Sequence, residues 1–389
     1  MSGEKTLLIK NGTVVTASDT QRADVYIQGE VVHTIGRDLQ LKADQVIDAT
    51  GCYLFPGGID AHTHMELPFM GTSSSDTFET GTLAGLHGGT TTIIDFAIQK
   101  QGDTLGAALA QWQEKAGGKA AGDYAFHVAV TDLNDRTRAE IKGLVEKQGV
   151  TSFKSLMAYK GALMIDDKQI IALLDECAKH GALVTTHAEN GDLADTLVQR
   201  NREAGNMAPK FHALSRPPIV EAEATGRVSD LAYQGGHPLY IVHLTCEESL
   251  NRVRQAAMRN QKLHVETCVQ YLLLDDSVYE QENFGGAKYV MSPPLRKKKD
   301  QEALWAGISQ GLIEVVATDH CPFCMSQKKM GENDFSKIPN GAPGVENRME
   351  LMFSEGVLKG RMSLNKFVDL TSTAPARIFG LAPKKGSIA

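Results

Sequence analysis

The chain has 389 residues, 42% of them apolar, with 40 Lys and Arg against 47 Asp and Glu, a formal charge of −7. That length excludes a lone small domain and suits a large barrel with an accessory domain, while a mildly acidic chain has no electrostatic reason to bind nucleic acid or an anionic membrane. No apolar run reaches the roughly 18 residues of a membrane span, the N-terminus MSGEKTLLIK has no apolar core ahead of a cleavage site, and six cysteines without framework spacing suit a reducing cytoplasm.

In chain order, residues 5–56 read as short strands of a small β domain. Leu7, Ile9, Val14 and Val15 flank Asn11-Gly12, a dipeptide suited to the positive φ of a hairpin turn, and residues 24–28 and 31–35 flank Gly29-Glu30. After Pro56-Gly57-Gly58, short apolar strands alternate with helical periods. The candidate strands are 58–60, 90–95, 124–129, 152–156, 183–186, 239–242, 263–266 and 314–317, with amphipathic stretches such as 136–148 and 167–180 between them. Eight such units over roughly 310 residues predict a (β/α)8 barrel, with a doubly wound open sheet as the alternative. The expected domains are 1–56 for the N-terminal part of the β domain, 57–373 for the barrel and 374–389 for a connection back toward the β domain. Insertions at 192–235 and 270–300 read as loops over the barrel mouth.

The chemistry gathers at strand ends. Asp60-Ala61-His62-Thr63-His64 closes the first barrel strand, and alternation along an extended segment turns His62 and His64 to one side, where both can grip one metal ion. Lys154 ends the fourth strand, His187 the fifth, His243 the sixth and Asp319 the eighth. Each alone would be an ordinary rim residue. Together they occupy the C-terminal face, where barrel enzymes place their active sites. The other eight of the twelve histidines read as structural, and so do Cys321 and Cys324 despite their Cys-x-x-Cys spacing. An ammonium cannot ligate a metal, but a buried lysine that loses its proton can react with carbon dioxide to give a carbamate that bridges two ions. Two divalent ions with that carbamate, Asp319, a hydroxide and neutral histidines net about +1, enough Lewis acidity to bring the pKa of bound water toward about 7.

The motifs DAHTH (60–64), GGTT (88–91), SFKSLMAYKG (152–161), HAENGD (187–192), VHLTC (242–246), ETCVQYL (266–272), SPPLR (292–296), TDHCPF (318–323) and KIPNG (337–341) follow one another along essentially the whole chain. This ordered set resembles the cyclic amidohydrolases of the D-hydantoinase and dihydropyrimidinase family. The resemblance implies an amidohydrolase-type TIM-like barrel and a small β-sandwich domain, the latter incomplete because relatives continue past the equivalent of Ala389 with strands that return to it. It implies two divalent metal ions, zinc first with manganese or cobalt as alternatives, held by His62, His64 and Asp319 and by His187 and His243, with carbamylated Lys154 as the bridge. It further implies Tyr159 as the residue orienting substrate and its oxyanion, backbone groups of Ser292 and Asn340 as readers of the cyclic imide edge, and Asp319 as the proton carrier. Met65, Leu67 and Phe69 of the first loop, with Leu156 where many hydantoinases have a bulky aromatic residue, would form the pocket for the 5-substituent.

The implied reaction is attack of a bridging hydroxide on a ring amide carbonyl, opening hydantoins or dihydropyrimidines to N-carbamoyl amino acids, in a homotetramer or homodimer. Allantoinase and dihydroorotase share the metal logic, although dihydroorotase needs a cationic partner for its substrate carboxylate and no matching arginine motif adjoins the first-strand histidines. A non-catalytic, dihydropyrimidinase-like assembly protein is a further alternative, opposed by the intact ligand set.

Overall fold

A computed structural model describes residues 4–389, which form two compact units: residues 60–351, and the N-terminal segment through Ile59 together with 352–389. The barrel unit is thus shorter than the span 57–373 read from sequence, because 352–373 groups with the N-terminal strands.

In the smaller unit, strands β1 (Thr6–Val15), β2 (Thr20–Gln28), β3 (Val31–Gly36) and β4 (Gln45–Asp48) lie in the order β3-β2-β1-β4, and β5 (Tyr53–Leu54) also pairs with β1. Val14, Ala23 and Val25 form its core, with Ile27, Leu54 and Ile388 packed on them. Gly29 takes φ 61° in the β2–β3 hairpin. Asn11-Gly12 does not turn the chain as expected. β1 pairs with β2 on both sides of it, and the register shifts between Ile9 and Gly12, so Asn11 with φ 63° makes a bulge. Asp24 Oδ1 accepts the Asn11 N–H at 2.8 Å, which holds that bulge inside a continuous strand.

The larger unit is built on eight parallel strands. They are β6 (Gly58–Thr63), then, after a small hairpin of β7 (Pro68–Phe69) and β8 (Thr72–Ser73), β9 (Thr90–Ile98), β10 (Asp123–Ala129), β11 (Ser152–Leu156), β12 (Leu183–His187), β13 (Leu239–Ile241), β14 (Leu263–Cys268) and β15 (Val315–Ala317). Their order, β15-β14-β13-β12-β11-β10-β9-β6, is the sequential order of a (β/α)8 barrel. A bridge between Thr63 and His320 joins the first strand to the last. Buried Asp60 secures that seam by accepting from the Thr318 N–H at 3.2 Å and its hydroxyl at 2.6 Å.

Helices α1 (Phe78–His87), α2 (Leu105–Ala116), α3 (Asp135–Gln148) and α4 (Asp167–Lys179) fill the first crossovers. Their ends are written locally: Asn134 with Thr137 and Asp166 with Gln169 form capping boxes, and Gly149 closes α3 in the left-handed region. Ile170, Leu173, Leu174 and Cys177 are the buried stripe of α4. The insertion at 192–235 is mostly helical rather than looped, with α5 (Gly191–Glu203), α6 (Lys210–Leu214) and α7 (Pro218–Gly235). Its Pro217-Pro218 pair begins α7, where the missing N–H of a proline costs nothing. Helices α8 (Glu247–Met258), α9 (Val269–Leu273), α10 (Lys298–Ser309) and α11 (Met325–Lys328) follow. Among the described residues no helix is long and apolar enough to cross a membrane.

Candidate metal centre and active site

The six side chains singled out at strand ends meet at one end of the barrel. His62 Nε2 and His64 Nε2 lie 3.1 and 3.0 Å from Asp319 Oδ1, and ligand atoms from these three residues all fall within 4.8 Å of one another. Lys154 on β11, 4% exposed, brings Nζ to 3.0 Å from His62 Nε2 and 4.0 Å from the centre of the Phe96 ring. His187 Nδ1 and His243 Nε2 face each other at 2.9 Å. Backbone strain accompanies this convergence, since His243, Asp319 and Tyr159 all adopt positive φ, at 39°, 54° and 64°.

Buried carboxylates set the rings. Glu266 Oε1 lies 2.7 Å from His62 Nδ1 and accepts the His243 N–H at 3.0 Å, while its Oε2 accepts the Tyr240 hydroxyl at 2.8 Å. Glu189 Oε2 lies 2.9 Å from His187 Nε2. With those ring nitrogens donating, the lone pairs of His62 Nε2 and His187 Nδ1 point inward, the arrangement that a metal requires of its histidines. Burial, then Lys154, keeps His62 well below its ordinary pKa; burial, then His187, does the same for His243, so both are neutral. Burial also pushes the Lys154 amine down. Burial opposes charge on Asp319, but His62 and His64 beside it prevail and hold its carboxyl well below the usual range. Neutral imidazoles, an ionised carboxylate and a lysine biased toward the amine form a donor set fit for divalent ions.

A partly open cavity lies over these groups. Tyr159, Ser292 and Asn340 supply polar lining, and Leu67, Phe69, Ile98, Leu156 and Leu163 supply apolar lining. Burial, then nearby Glu189, pushes the Tyr159 hydroxyl up to about 12, so it remains a donor. Asn340 Nδ2 donates to Ser292 Oγ at 3.1 Å. Met65 does not line the cavity as expected. Its N–H is tied to Asp95 Oδ2 at 2.8 Å, and its side chain turns into the core with Phe78, against Gly81, where any Cβ would meet the sulfur at 2.3 Å.

The amidohydrolase family model matches residues 53–389. A D-hydantoinase of Geobacillus stearothermophilus is 49% identical over 99% of this chain and 82% of its own length. The crystal structure of dihydropyrimidinase from Brevibacillus agri NCHU1002 matches with TM-score 0.98 and 51% identity, over 99% of this chain and 84% of that one. The chain belongs to the amidohydrolase family, in its D-hydantoinase and dihydropyrimidinase branch. A D-phenylhydantoinase of Escherichia coli O1:K1 / APEC is 46% identical over 98% of this chain and 83% of its own length. Membership implies a divalent metal, and the His62, His64 and Asp319 group fits one.

Several residues of this amidohydrolase site escaped the sequence reading. His212, expected to be structural only, has Nε2 at 2.9 Å from the Met291 carbonyl and 3.2 Å from Ser292 Oγ, and burial pushes it down to about 3. Glu189 was legible in principle, since it falls two residues beyond His187 in HAENGD. Cys321 lines the cavity while Cys324 is exposed, and all six cysteines are free thiols.

Proposed function

We propose that this protein hydrolyses the ring amide bond of hydantoins, dihydropyrimidines or both, giving N-carbamoyl amino acids. The observation that carries this reading is the placement of Tyr159, Ser292 and Asn340 in the same cavity as His64, Lys154, His187, His243 and Asp319. His62, His64 and Asp319 would hold one divalent ion, His187 and His243 a second, and carbamylated Lys154 would join them. Zinc suits these nitrogen and oxygen donors, as do manganese and cobalt. When bound, the ions supply Lewis acidity and a water of lowered pKa.

The chain's own groups account for the remaining steps. Backbone groups of Ser292 and Asn340 read the imide edge and orient the ring. The Tyr159 hydroxyl donates to the carbonyl oxygen as negative charge builds there, a contribution worth about 3 kcal/mol for a well-placed donor. Asp319 takes the proton of the attacking water and delivers it to the ring nitrogen as the C–N bond breaks, so that water is added across that bond. The apolar wall of Leu67, Phe69, Leu156 and Leu163 accommodates the 5-substituent and excludes competing water. Among the described residues the lining holds no arginine and no lysine besides Lys154, whose charge the carbamate would remove, which favours an uncharged ring over a substrate bearing a carboxylate.

The test is metal analysis of the purified protein combined with a ring-opening panel of hydantoin, dihydrouracil, dihydroorotate and allantoin. Bound divalent metal with turnover of hydantoin or dihydrouracil is expected. No metal and no turnover on any member would sink the enzymatic reading.

A further inference from the structure

Lys328, at the end of α11, carries a charge-bearing group into the interior and is 1% exposed. Its Nζ donates to three main-chain carbonyls, those of Val290 at 2.9 Å, Pro339 at 2.7 Å and Gly341 at 2.8 Å. An ammonium has three N–H donors, and this geometry uses all three. The carbonyls come from two segments far apart in sequence: Val290 stands two residues before Ser292, and Pro339 and Gly341 flank Asn340. Two other bonds tie these segments together, Gly341 N–H to the Val290 carbonyl at 2.9 Å and Asn340 Nδ2 to Ser292 Oγ at 3.1 Å. Three carbonyl oxygens turned toward one point repel one another unless a donor stands between them, and each left bare in the interior would carry a desolvation cost.

We propose that Lys328 is a positioning residue that fixes the spacing of the Ser292 and Asn340 segments, and so sets how tightly the cyclic amide edge is read. The inference rests on the proposed role of those two residues in holding substrate. Lys328 touches no residue assigned to the metals, so its removal should leave metal loading and the chemical step largely intact. The loss should fall on binding, and equally for every 5-substituent, because the substituent lies against the apolar wall instead.

The test is steady-state kinetics of Lys328→Gln and Lys328→Met in the metal-loaded protein, with metal content measured alongside. Glutamine retains two N–H donors and methionine none. KM for hydantoin should rise about tenfold in the first and further in the second, with kcat within about threefold and full metal content. The ratio of kcat/KM between phenyl-bearing and unsubstituted hydantoin should not move. Unchanged KM in a folded Lys328→Gln protein, or a fall in kcat alone, would overturn the proposal. So would failure of both variants to fold, which would make Lys328 a folding determinant. A wild-type protein with no turnover on any ring would instead fault the functional reading itself.

Discussion

His62 and Glu266 are both fully buried, and His62 Nδ1 lies 2.7 Å from Glu266 Oε1. The same oxygen accepts the His243 N–H, so one carboxylate orients a proposed ligand of each metal. Burial pushes Glu266 up to about 8, with the Tyr240 hydroxyl and the His243 N–H pulling the other way. A glutamine there keeps the shape but replaces one acceptor oxygen with an NH2 group, so one of its ends must turn an N–H toward groups that themselves donate. Glu266→Gln should therefore weaken metal binding and lower kcat by about 10- to 100-fold, the usual scale for a residue that orients a ligand. Metal titration and turnover on hydantoin check this. Wild-type affinity and rate in the variant would remove Glu266 from the functional site.

Lys154 is held among His62, Asp319 and the face of Phe96, where burial favours its uncharged form. If it carries a carbamate, the intact protein should show a mass excess of one carbon dioxide that disappears on acidification. Lys154→Met should bind less metal and lose more than about a thousandfold in kcat, in line with the several kcal/mol that metal ions contribute to such reactions. A methionine variant that retains two ions and wild-type turnover would rule out the bridge.

The barrel and the convergence of the proposed metal-site residues were legible because both depend on local order. Strand ends can be found from short apolar runs, and His62, His64, His187, His243 and Asp319 sit directly at such ends. Met65 was misread because its direction is set by Asp95, on the next barrel strand, and by the space left at Gly81. Asn11-Gly12 has the local chemistry of a turn, and pairing with β2 on both sides overrides it. His212 is placed at the site by Met291 and Ser292, 79 and 80 residues away, and no periodicity announces contacts at that separation.

Away from the site, Glu176 on α4 draws together Arg138 of α3 at 3.0 Å, Lys179 at 2.9 Å and His180 at 3.3 Å. Lys179, with Arg138 and His180, outweighs the partial burial and holds Glu176 down at about 2. A carboxyl whose pKa is lower in the folded chain adds stability above its unfolded value of 4.5, and that contribution fades as pH falls from there toward 2. Glu176→Gln should lower Tm at pH 7, with the gap closing in acid. Because Arg138 and Lys179 are largely exposed, screening limits the effect to about 1 kcal/mol or less. Thermal melts across pH 2 to 7 decide it, and a gap that widens in acid would contradict the assignment.

Leu156 ends β11 and lines the cavity beside Leu67 and Leu163, in a wall that is closely packed, with Leu156 itself only 4% exposed. Its side chain is smaller than the bulky aromatic residue that the family resemblance implies for many hydantoinases at this position, which on the proposed function would leave room for a large 5-substituent. Leu156→Phe adds volume to that wall, and the space must come from the cavity or from strain, typically about 1–3 kcal/mol in a packed setting. The edge contacts proposed for Ser292 and Asn340 are untouched by the change. Consequently kcat/KM for a phenyl-bearing hydantoin should fall about tenfold or more relative to unsubstituted hydantoin, which needs no space there. Competition between the two substrates in one reaction measures that ratio directly. An equal fall for both would place the damage in the metal centre or the barrel rather than in the substituent pocket, and Leu156 would then have no part in selecting substrates.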